Sequence, residues 1–403
     1  MNFNPRLLNI GSEAQARAEL ARLGCDPVGI NIMSAKAVFK IVRLEKVPAK
    51  AANLLKQTFL AKGGEVALTR GTADLSVAES DVLICATLKQ YRLALAQLKL
   101  QPWGLPKVAA AVEAALAAEA FPARRYEWPG RELAIGPGRT VIMGILNVTP
   151  DSFSDGGRFN RLDDALRHAE AMLADGADVI DIGAESTRPY GGAVQVSAAE
   201  EMERLLPVVE RVLAVSPLPV SVDTYKAAVA AEALRLGAHM VNDVWGLQRD
   251  PDMAAVCARY GAPVVVMHNQ EGTAYDGDVM AAVCAFLRRS VAVATEAGVA
   301  ADKVIVDPGI GFGKTPAHNL AVLNRLDELK VLGCPVLLGT SRKRFIGEAL
   351  GGLPPGDRVA GTAATVACGI MRGAHIVRVH DVKEMAKVAR MTDVIMKEAM
   401  DNG

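Results

Sequence analysis

The stretch TVIMGILNVTPDSFSDGGRF, residues 140–159, begins as an apolar run and changes at Asn147 into a loop of hydrogen-bonding residues and glycine. The run TVIMGIL (140–146) predicts a buried strand. The loop continues to the next helical pattern near Leu162, whereas an ordinary connection takes about two to six residues. A long polar loop at the end of a buried strand is typical of a functional segment.

The same unit, a β-rich run followed by an amphipathic helical stretch, occurs eight times from about residue 140 onwards. Strands that alternate with helices indicate parallel pairing. Eight such units over roughly 260 residues match a closed (β/α)8 or TIM barrel. A doubly wound open sheet is the alternative, and the count of eight favours closure. The predicted strands are 140–146, 179–184, 219–223, 240–244, 263–268, 303–308, 335–340 and 375–380.

Residues 1–121 predict a separate small α/β domain without a cluster of catalytic residue types. Residues 122–138 hold three prolines and three glycines and are interpreted as a linker to the barrel at 139–403. The predicted fold class is therefore α/β, a (β/α)8 TIM barrel preceded by a small α/β domain of unknown role. In that domain we predict helices at 12–24, 49–64 and 88–100, and strands at 28–32, 37–47, 65–71 and 81–87.

Composition argues against several classes of function. The 45 basic and 45 acidic residues balance, which gives no support to a role with nucleic acid or a membrane surface. Residues 1–130 hold 17 basic and 11 acidic residues, an excess interpreted as a solvated surface, with an anionic partner as the alternative. Six scattered cysteines without a C-x-x-C pair indicate reduced thiols in a cytoplasmic protein. We expect no signal peptide and no membrane span.

Polar residues follow every predicted barrel strand, at the face where active sites of this architecture lie. They are rich in Asn, Asp, Arg and His, whereas a merely solubilising rim favours Lys and Glu, so a functional site is predicted there. The rim positions are Asn147, Glu185, Ser186, Thr187, Arg188, Asp223, Asn242, Asp243, His268, Asp307, Ser341, Arg342, Lys343, Arg378 and His380.

Two of these positions suggest an anion site. Arg378 and His380 alternate along the last strand and share one face, which suits a phosphate or pyrophosphate. The Asn147 side chain, after the first strand, can join phosphate oxygens and water around Mg²⁺. The alternative for His380 is a structural histidine at a helix end.

Acceptors and mixed donor–acceptor groups suggest a second subsite. Asp223, Asn242 and Asp307 end three strands and suit a heterocycle with amide and amino edges, such as a pterin or guanine; helix N-capping is the alternative, above all for Asp223. TSRKR (340–344) precedes a helical stretch and suits a carboxylate or an electron-rich ring. The alternative for Lys343 is a basic surface turn.

GIGFGKT (309–315) looks like a phosphate-binding P-loop but fails the pattern, because position 308 is proline where the motif requires glycine. A nucleoside triphosphatase is therefore rejected. Phe312 and Lys314 are still expected to face the site, as an aromatic wall and a cation.

Taken together, NVTPDSFSDGG, DIGAESTRP, SVDT, NDV, DPGIGFGK, GTSRK and RVHDV, in this order and with barrel spacing, resemble dihydropteroate synthase over roughly residues 139–400. The N-terminal region also resembles an extension found on some bacterial members of that family. The resemblance implies a transferase of folate biosynthesis. Such an enzyme condenses 6-hydroxymethyl-7,8-dihydropterin diphosphate with p-aminobenzoate, with Mg²⁺ as cofactor, and releases pyrophosphate.

The resemblance also implies roles for individual residues. Asp223, Lys343, Arg378 and His380 are implied to take part in catalysis. Asn147 would hold Mg²⁺ and the diphosphate, which Arg378 and His380 would also bind. The loop from Thr149 to Gly157, with Phe153, and the loop after Glu185 would close over the reactants. The dihydropterin would contact Asp223, Asn242, Met267, Asp307 and Lys343, and p-aminobenzoate would contact Thr187, Arg188, Pro189, Phe312, Ser341 and Arg342. Members are often homodimers, which we expect here.

The sequence departs from the family pattern at two places. Ala184 replaces a usual glycine, and Tyr190 with Gly191 lengthens the loop beside the p-aminobenzoate pocket. We predict that Tyr190 narrows the outer pocket and weakens sulfonamide binding; a longer loop without effect is the alternative. Two other functions are the alternatives. One is a methyltetrahydrofolate methyltransferase with a related pterin-binding barrel, and the other is a noncatalytic pterin sensor.

Overall fold

The computed structural model describes residues 3–119, 121, 123–148, 158–185 and 196–401, without the side chains of 158–161 and 398–401. The chain divides into two compact units, residues 1–117 with 397–403 and residues 118–396. Among the described residues, no helix is long and apolar enough to cross a membrane.

The first unit is a three-stranded antiparallel sheet with helices packed on it. Its strand order is β1-β3-β2. Leu55, Phe59 and Tyr91 are fully buried in its core, where the rings of Phe59 and Tyr91 meet edge to face at 5.3 Å. In chain order the elements are α1 (Glu13–Arg22), α2 (Pro27–Ala37), β1 (Phe39–Pro48), α3 (Ala49–Leu60), β2 (Glu65–Leu68), β3 (Glu79–Thr87), α4 (Leu88–Leu98) and α5 (Leu105–Ala118).

Two elements of this unit differ from the prediction, and one of them is helix α5, which was not predicted. Residues 28–32, predicted as a strand, lie in helix α2, so that prediction was wrong. Asp26 caps the helix by accepting a hydrogen bond from the Gly29 backbone N–H at 2.9 Å, and Pro27 occupies the first turn. Aspartate followed by proline is a helix-start signal, and it prevails over the β preference of the apolar run.

The segment interpreted as a linker is also ordered. Residues 124–135 form a hairpin of β4 (Arg124–Trp128) and β5 (Arg131–Ile135). Tyr126, Leu133 and Ile135 are buried against Met143 and the starts of the other barrel strands. The hairpin therefore closes the N-terminal end of the barrel, and the apolar alternation of RRYEW and RELAI carried this signal.

The second unit is the predicted barrel. Eight parallel strands run in the order β11-β10-β9-β8-β7-β6-β13-β12. A parallel bridge between Val306 and Val336 joins the first and last of this order, which closes the sheet. The strands are β6 (Val141–Asn147), β7 (Val179–Gly183), β8 (Val220–Asp223), β9 (Met240–Asp243), β10 (Val264–Met267), β11 (Val304–Asp307), β12 (Leu337–Leu338) and β13 (Ile376–Val379). All eight predicted strands and the TIM-barrel fold class are confirmed.

Helices alternate with these strands and cover the outside of the barrel. Outward side chains such as Ile180, Val222 and Val264 are fully buried in the layer between sheet and helices, which fixes each strand's register because alternate residues must face inward. The helices are α6 (Arg158–Asp175), α7 (Ala198–Val215), α8 (Ala227–Leu236), α9 (Met253–Tyr260), α10 (Val279–Glu296), α11 (Pro316–Asn324), α12 (Arg344–Ala349), α13 (Val359–Met371) and α14 (Val382–Asp401).

Candidate active site

A pocket lies at the C-terminal ends of the barrel strands and encloses about 450 Å³, part of it open to solvent. Inward-facing side chains from seven of the strands or the loops after them meet there, since parallel strands end at one face. Its lining consists of Ile145, Asp223, Asn242, Val244, Met267, Asp307, Phe312, Gly339, Ser341, Lys343, Arg378 and His380.

Most of the predicted site residues that the structure describes therefore share one pocket. Asn147 ends β6, two residues beyond Ile145 in the lining, and pairs with Gly183 of β7. Arg342 is outside the lining. The predictions for Thr149 to Gly157 with Phe153, for Thr187, Arg188 and Pro189, and for Tyr190 and Gly191 lie outside the described residues.

The floor of the pocket is an ionic cluster. Arg378 donates through Nε to Asp181 Oδ2 at 2.6 Å and through Nη2 to Asp223 Oδ2 at 2.7 Å. Burial raises the pKa of Asp223 to about 7, with the negative charge of Asp181 adding to the rise and Arg378 opposing it. Asp223 Oδ1 is buried and has no hydrogen-bond partner among the described residues. Asp181 Oδ1 is buried and likewise has no hydrogen-bond partner among the described residues. The cluster thus leaves two carboxylate oxygens that can accept a hydrogen bond from a ligand.

Asp181 is a site residue that sequence reasoning missed. It lies in the middle of β7, is fully buried, and accepts a hydrogen bond from Asn242 Nδ2 at 3.0 Å in addition to that from Arg378. The inner layers of a TIM barrel are usually apolar. The sequence signal for Asp181 was a carboxylate inside an apolar strand, between Ile180 and Ile182. It lies two residues before the end of the strand, whereas the predicted site residues were those at the strand ends.

The pocket lining also includes Asp307, Lys343 and Phe312. Asp307 Oδ1 accepts the Gly309 backbone N–H at 2.7 Å, and burial raises the Asp307 pKa. Lys343 Nζ donates to the Ile310 carbonyl and lies 4.4 Å from the centre of the Phe312 ring. Burial lowers the pKa of Lys343 to about 8, an effect that Asp307 opposes and Arg378 reinforces. A carboxylate, an ammonium and an aromatic face thus border one space.

Two predicted residues after β12 make contacts with the end of β13. Ser341 Oγ accepts the backbone N–H of His380 at 3.1 Å and is 3.0 Å from His380 Nδ1. Arg342 forms a bidentate ion pair with Asp381, at 3.0 and 2.5 Å. Ser341 and His380 therefore form one unit in the pocket, whereas the Arg342 guanidinium is directed to Asp381.

Lys314 does not face the pocket, so the expectation of a second cation there was wrong. It is 1% exposed, and its Nζ lies 2.8 Å from His268 Nδ1, 3.0 Å from the Gly309 carbonyl and 3.1 Å from the Phe312 carbonyl. Burial lowers the Lys314 pKa to about 7 and the His268 pKa to about 3. His268, predicted on the rim, is buried with it and supports the loop that carries Phe312.

Asp243, another rim position, faces away from the pocket. It accepts the backbone N–H groups of Trp245 and Leu247 at 2.8 and 2.7 Å, and burial raises its pKa to about 6. Alternation explains this, because its neighbour Asn242 takes the inward position. Asp243 therefore shapes the loop after β9.

The part of the chain that the structure describes holds no group of three or more His, Cys, Asp or Glu side chains arranged for a metal ion. A Mg²⁺ ion shared with a diphosphate does not need such a cage, because substrate oxygens and water complete its shell. Asn147 at the end of β6 can supply one hard oxygen ligand of this kind, which fits an ion brought by an anionic substrate.

A closed α/β barrel with this pocket is typical of an enzyme that binds a flat heterocycle next to an anionic group. Carboxylates, an amide, a lysine and an aromatic ring suit a flat heterocycle with N–H and carbonyl edges, and the neighbouring arginine and histidine suit an anion.

Comparisons with known proteins give the same class. The model of the pterin binding enzyme family matches residues 143–380. A dihydropteroate synthase of Bacillus subtilis is 54% identical over 260 residues, 64% of this chain and 90% of the relative. The structure of Xanthomonas albilineans dihydropteroate synthase with 4-aminobenzoic acid has 42% identity and a TM-score of 0.65, covering 68% of this chain and 99% of that one. The chain belongs to the pterin binding enzyme family, among the dihydropteroate synthases.

One relative extends beyond the barrel. A probable bifunctional folylpolyglutamate synthase/dihydropteroate synthase of Halobacterium salinarum is 43% identical over 393 residues, which is 96% of this chain and 46% of the relative. The match therefore includes most of the first unit as well as the barrel.

Proposed function

We propose that this chain is a transferase of folate biosynthesis. It condenses 6-hydroxymethyl-7,8-dihydropterin diphosphate with p-aminobenzoate and yields 7,8-dihydropteroate and pyrophosphate. The observation that carries the proposal is the single pocket in which Asp223, Asn242, Asp307 and Lys343 lie next to Arg378 and His380. A methyltransferase with a related barrel would need the heterocycle subsite but not the anion subsite.

The pterin ring occupies the space between Asp223, Asn242, Asp307 and Lys343, beside Met267. Asp307 accepts N–H groups from the amino-pyrimidine edge, and Lys343 donates to a ring acceptor. The buried acceptor Asp223 Oδ1, without a partner among the described residues, receives a ring N–H. A buried acceptor left unpaired costs about 1–3 kcal/mol, so ligand binding removes this cost.

The diphosphate lies towards Arg378, His380 and Asn147. Arginine and histidine neutralise the charge that grows on the leaving oxygen. Mg²⁺ held between Asn147 and the diphosphate would add Lewis-acid stabilisation of the same charge. Because Arg378 is already paired with Asp181 and Asp223, it enters the reaction in a fixed orientation.

The reaction proceeds by departure before attack. The bond between the pterin methylene carbon and the diphosphate oxygen breaks, and its electron pair leaves with pyrophosphate. The electron-rich dihydropterin stabilises the methylene cation, and ionised Asp223 lies beside it. The amine nitrogen of p-aminobenzoate then forms the new C–N bond and loses one proton to solvent.

The second substrate lies against Phe312 and Ser341 at the outer part of the pocket, with Thr187, Arg188, Pro189 and Arg342 as further proposed contacts. Stacking on Phe312 orients the ring so that its amine meets the cation. Exclusion of water matters here, because hydrolysis would otherwise consume the cation.

The test is release of pyrophosphate by the purified chain with Mg²⁺ and the pterin diphosphate, with and without p-aminobenzoate, while dihydropteroate is assayed in parallel. We expect both products to appear together, and chelation of Mg²⁺ to suppress them. Pterin binding without either product would contradict the proposal and favour a sensor.

A matched pair of variants makes the test specific to the site. Asp223→Asn removes the charge beside the cation and should reduce kcat by about a hundredfold or more. Ser221→Ala changes the same strand two residues earlier, at a fully buried hydroxyl outside the pocket lining. It should leave turnover unchanged, and equal losses in both variants would contradict the role of Asp223.

We also propose that the chain acts as a homodimer in the cytoplasm. Support comes from the exposed apolar side chains of Leu320 on α11, Leu350 after α12 and Met371 at the end of α13, a kind of surface that subunit contacts cover. Sedimentation analysis tests the dimer: a species of one chain's mass, 42.5 kDa, at assay concentrations would contradict it.

A further inference from the structure

The carboxylate of Asp181 connects two pocket residues without lining the pocket itself. Its Oδ2 accepts both Arg378 Nε at 2.6 Å and Asn242 Nδ2 at 3.0 Å. Asp181 has no exposed surface. The reaction proposed above gives Asp181 no role. Burial of a carboxylate nevertheless costs free energy unless the group is paired and hydrogen-bonded, so its two partners are the place to look for its function.

The contact with Asn242 fixes the polarity of an amide. An ionised carboxylate can only accept hydrogen bonds, so the amide must turn its NH₂ group towards Asp181. The amide oxygen of Asn242 then takes the other position of the planar group. Asn242 therefore presents its amide oxygen as an acceptor to a pocket ligand, and the ligand must donate an N–H group to it.

The charge of Asp181 also acts on Asp223. Burial is the largest cause of the raised pKa of Asp223, and the Asp181 charge adds to it. Both carboxylates bind the same guanidinium, so loss of one leaves Arg378 to the other. The ionisable groups that interact electrostatically with Asp223 are Asp181, Glu201, Asp243, Lys343 and Arg378.

We propose that Asp181 is a positioning residue of the pterin site: it turns the Asn242 amide oxygen towards the ligand and holds the Arg378 guanidinium in place. Because Asp223 binds the same guanidinium, a change at Asp181 also reaches Asp223. This inference rests on the proposed function for the identity of the ligand. Its effect on Asp223 does not depend on turnover and is measured directly.

The experiment compares the full chain with Asp181→Asn and Ser221→Ala. Aspartate labelled with ¹³C at Cγ reports each carboxyl group by NMR, and the Asp223 signal is assigned by its loss in Asp223→Asn. In the unmodified chain Asp223 should titrate at about pH 7. In Asp181→Asn the titration should move down by about one pH unit or more, because a neighbouring negative charge is gone. Ser221→Ala, which removes a neutral group in register with Asp181, should leave it unchanged.

Ligand binding gives the second measurement. Calorimetric titration with 6-hydroxymethylpterin should show about tenfold weaker binding by Asp181→Asn, since the Asn242 amide is free to turn. The KM for p-aminobenzoate should not change, and the acid limb of kcat/KM should follow Asp223 to lower pH. A structural role alone would lower the amount of folded protein without moving the titration.

The outcomes separate the two proposals. An unchanged Asp223 titration in a folded Asp181→Asn variant overturns the inference. If that variant does not fold, the unmodified chain decides, because titration of Asp223 near the ordinary value of 3.8 would also overturn it. Absence of turnover by the unmodified chain contradicts the dihydropteroate synthase reaction and leaves the NMR comparison as the test of Asp181.

Discussion

At the scale of single residues, the pocket works with ionisable groups whose charge is marginal near neutral pH. Burial raises the pKa of Asp223 to about 7 and lowers that of Lys343 to about 8. Asp223 and Lys343 are charged at the same time only in a narrow pH range, above about 7, where Asp223 is ionised, and below about 8, where Lys343 is protonated. A bell-shaped dependence of kcat/KM on pH follows from this pair.

The alkaline limb belongs to Lys343. Deprotonation removes the positive charge that meets the pterin, so kcat/KM should fall as pH rises through about 8. Lys343→Arg keeps its charge and should lose that limb, whereas Lys343→Met should bind the pterin about ten- to a hundredfold more weakly at every pH. Steady-state kinetics from about pH 6 to about pH 10 measure this. An alkaline limb that persists in Lys343→Arg would assign it to another group.

At the scale of elements, the hairpin of β4 and β5 contributes to the stability of the barrel and not to the pocket. It fills the end of the barrel opposite the pocket, and Arg131 attaches it by donating to the carbonyl groups of Leu213, Ser216 and Leu218 at 2.6, 2.8 and 3.2 Å. The Tyr126 hydroxyl donates to the Asp302 carbonyl at 2.7 Å. The hairpin is thus part of the barrel core.

Leu133→Ala tests this assignment. Leu133 is 3% exposed, and its truncation leaves a cavity at the barrel floor that should lower the free energy of unfolding by about 2–5 kcal/mol. KM for both substrates should remain as in the unmodified chain, because the pocket lies at the other end. Denaturant unfolding and kinetics measure the two effects. Glu132→Ala, at an exposed neighbour, is the control, and equal stability of both variants would restore the interpretation as a linker.

At the scale of the whole molecule, the two units have separate cores. The core around Phe59 and Tyr91 contains only residues of the first unit, and the barrel core contains only residues of the second. The B. subtilis relative, matched over 260 residues, is covered to 90% of its own length. The barrel therefore corresponds to nearly all of that relative.

A shortened chain that begins at residue 118 should accordingly fold and keep the kcat/KM of the full chain for both substrates. Circular dichroism establishes folding, and the pyrophosphate assay measures turnover. Phe59→Ala in the full chain is the companion variant, because it disrupts the first core and leaves the barrel sequence intact. A folded barrel with reduced kcat would show that the first unit contributes to turnover.

The sequence by itself determined the barrel and most of its pocket. Eight apolar runs alternating with amphipathic helices require parallel pairing, and the residue after each run must reach the same face. For this reason the ends of the predicted strands were sufficient to predict these pocket residues: Asp223, Asn242, Asp307, Lys343, Arg378 and His380. Local periodicity carries this information, since strand alternation and chain order set both direction and side.

Only the tertiary structure decided the partners of those side chains. Arg378 turns towards Asp181, Lys314 turns inward to His268, and residues 124–135 close the barrel floor. Each of these contacts joins residues far apart in the chain, and each depends on which buried group most needs a partner once water is excluded. The spacing of residues along the sequence does not show which buried groups will compete for the same hydrogen-bond partner. The direction of a long charged side chain is therefore known only from the closed barrel.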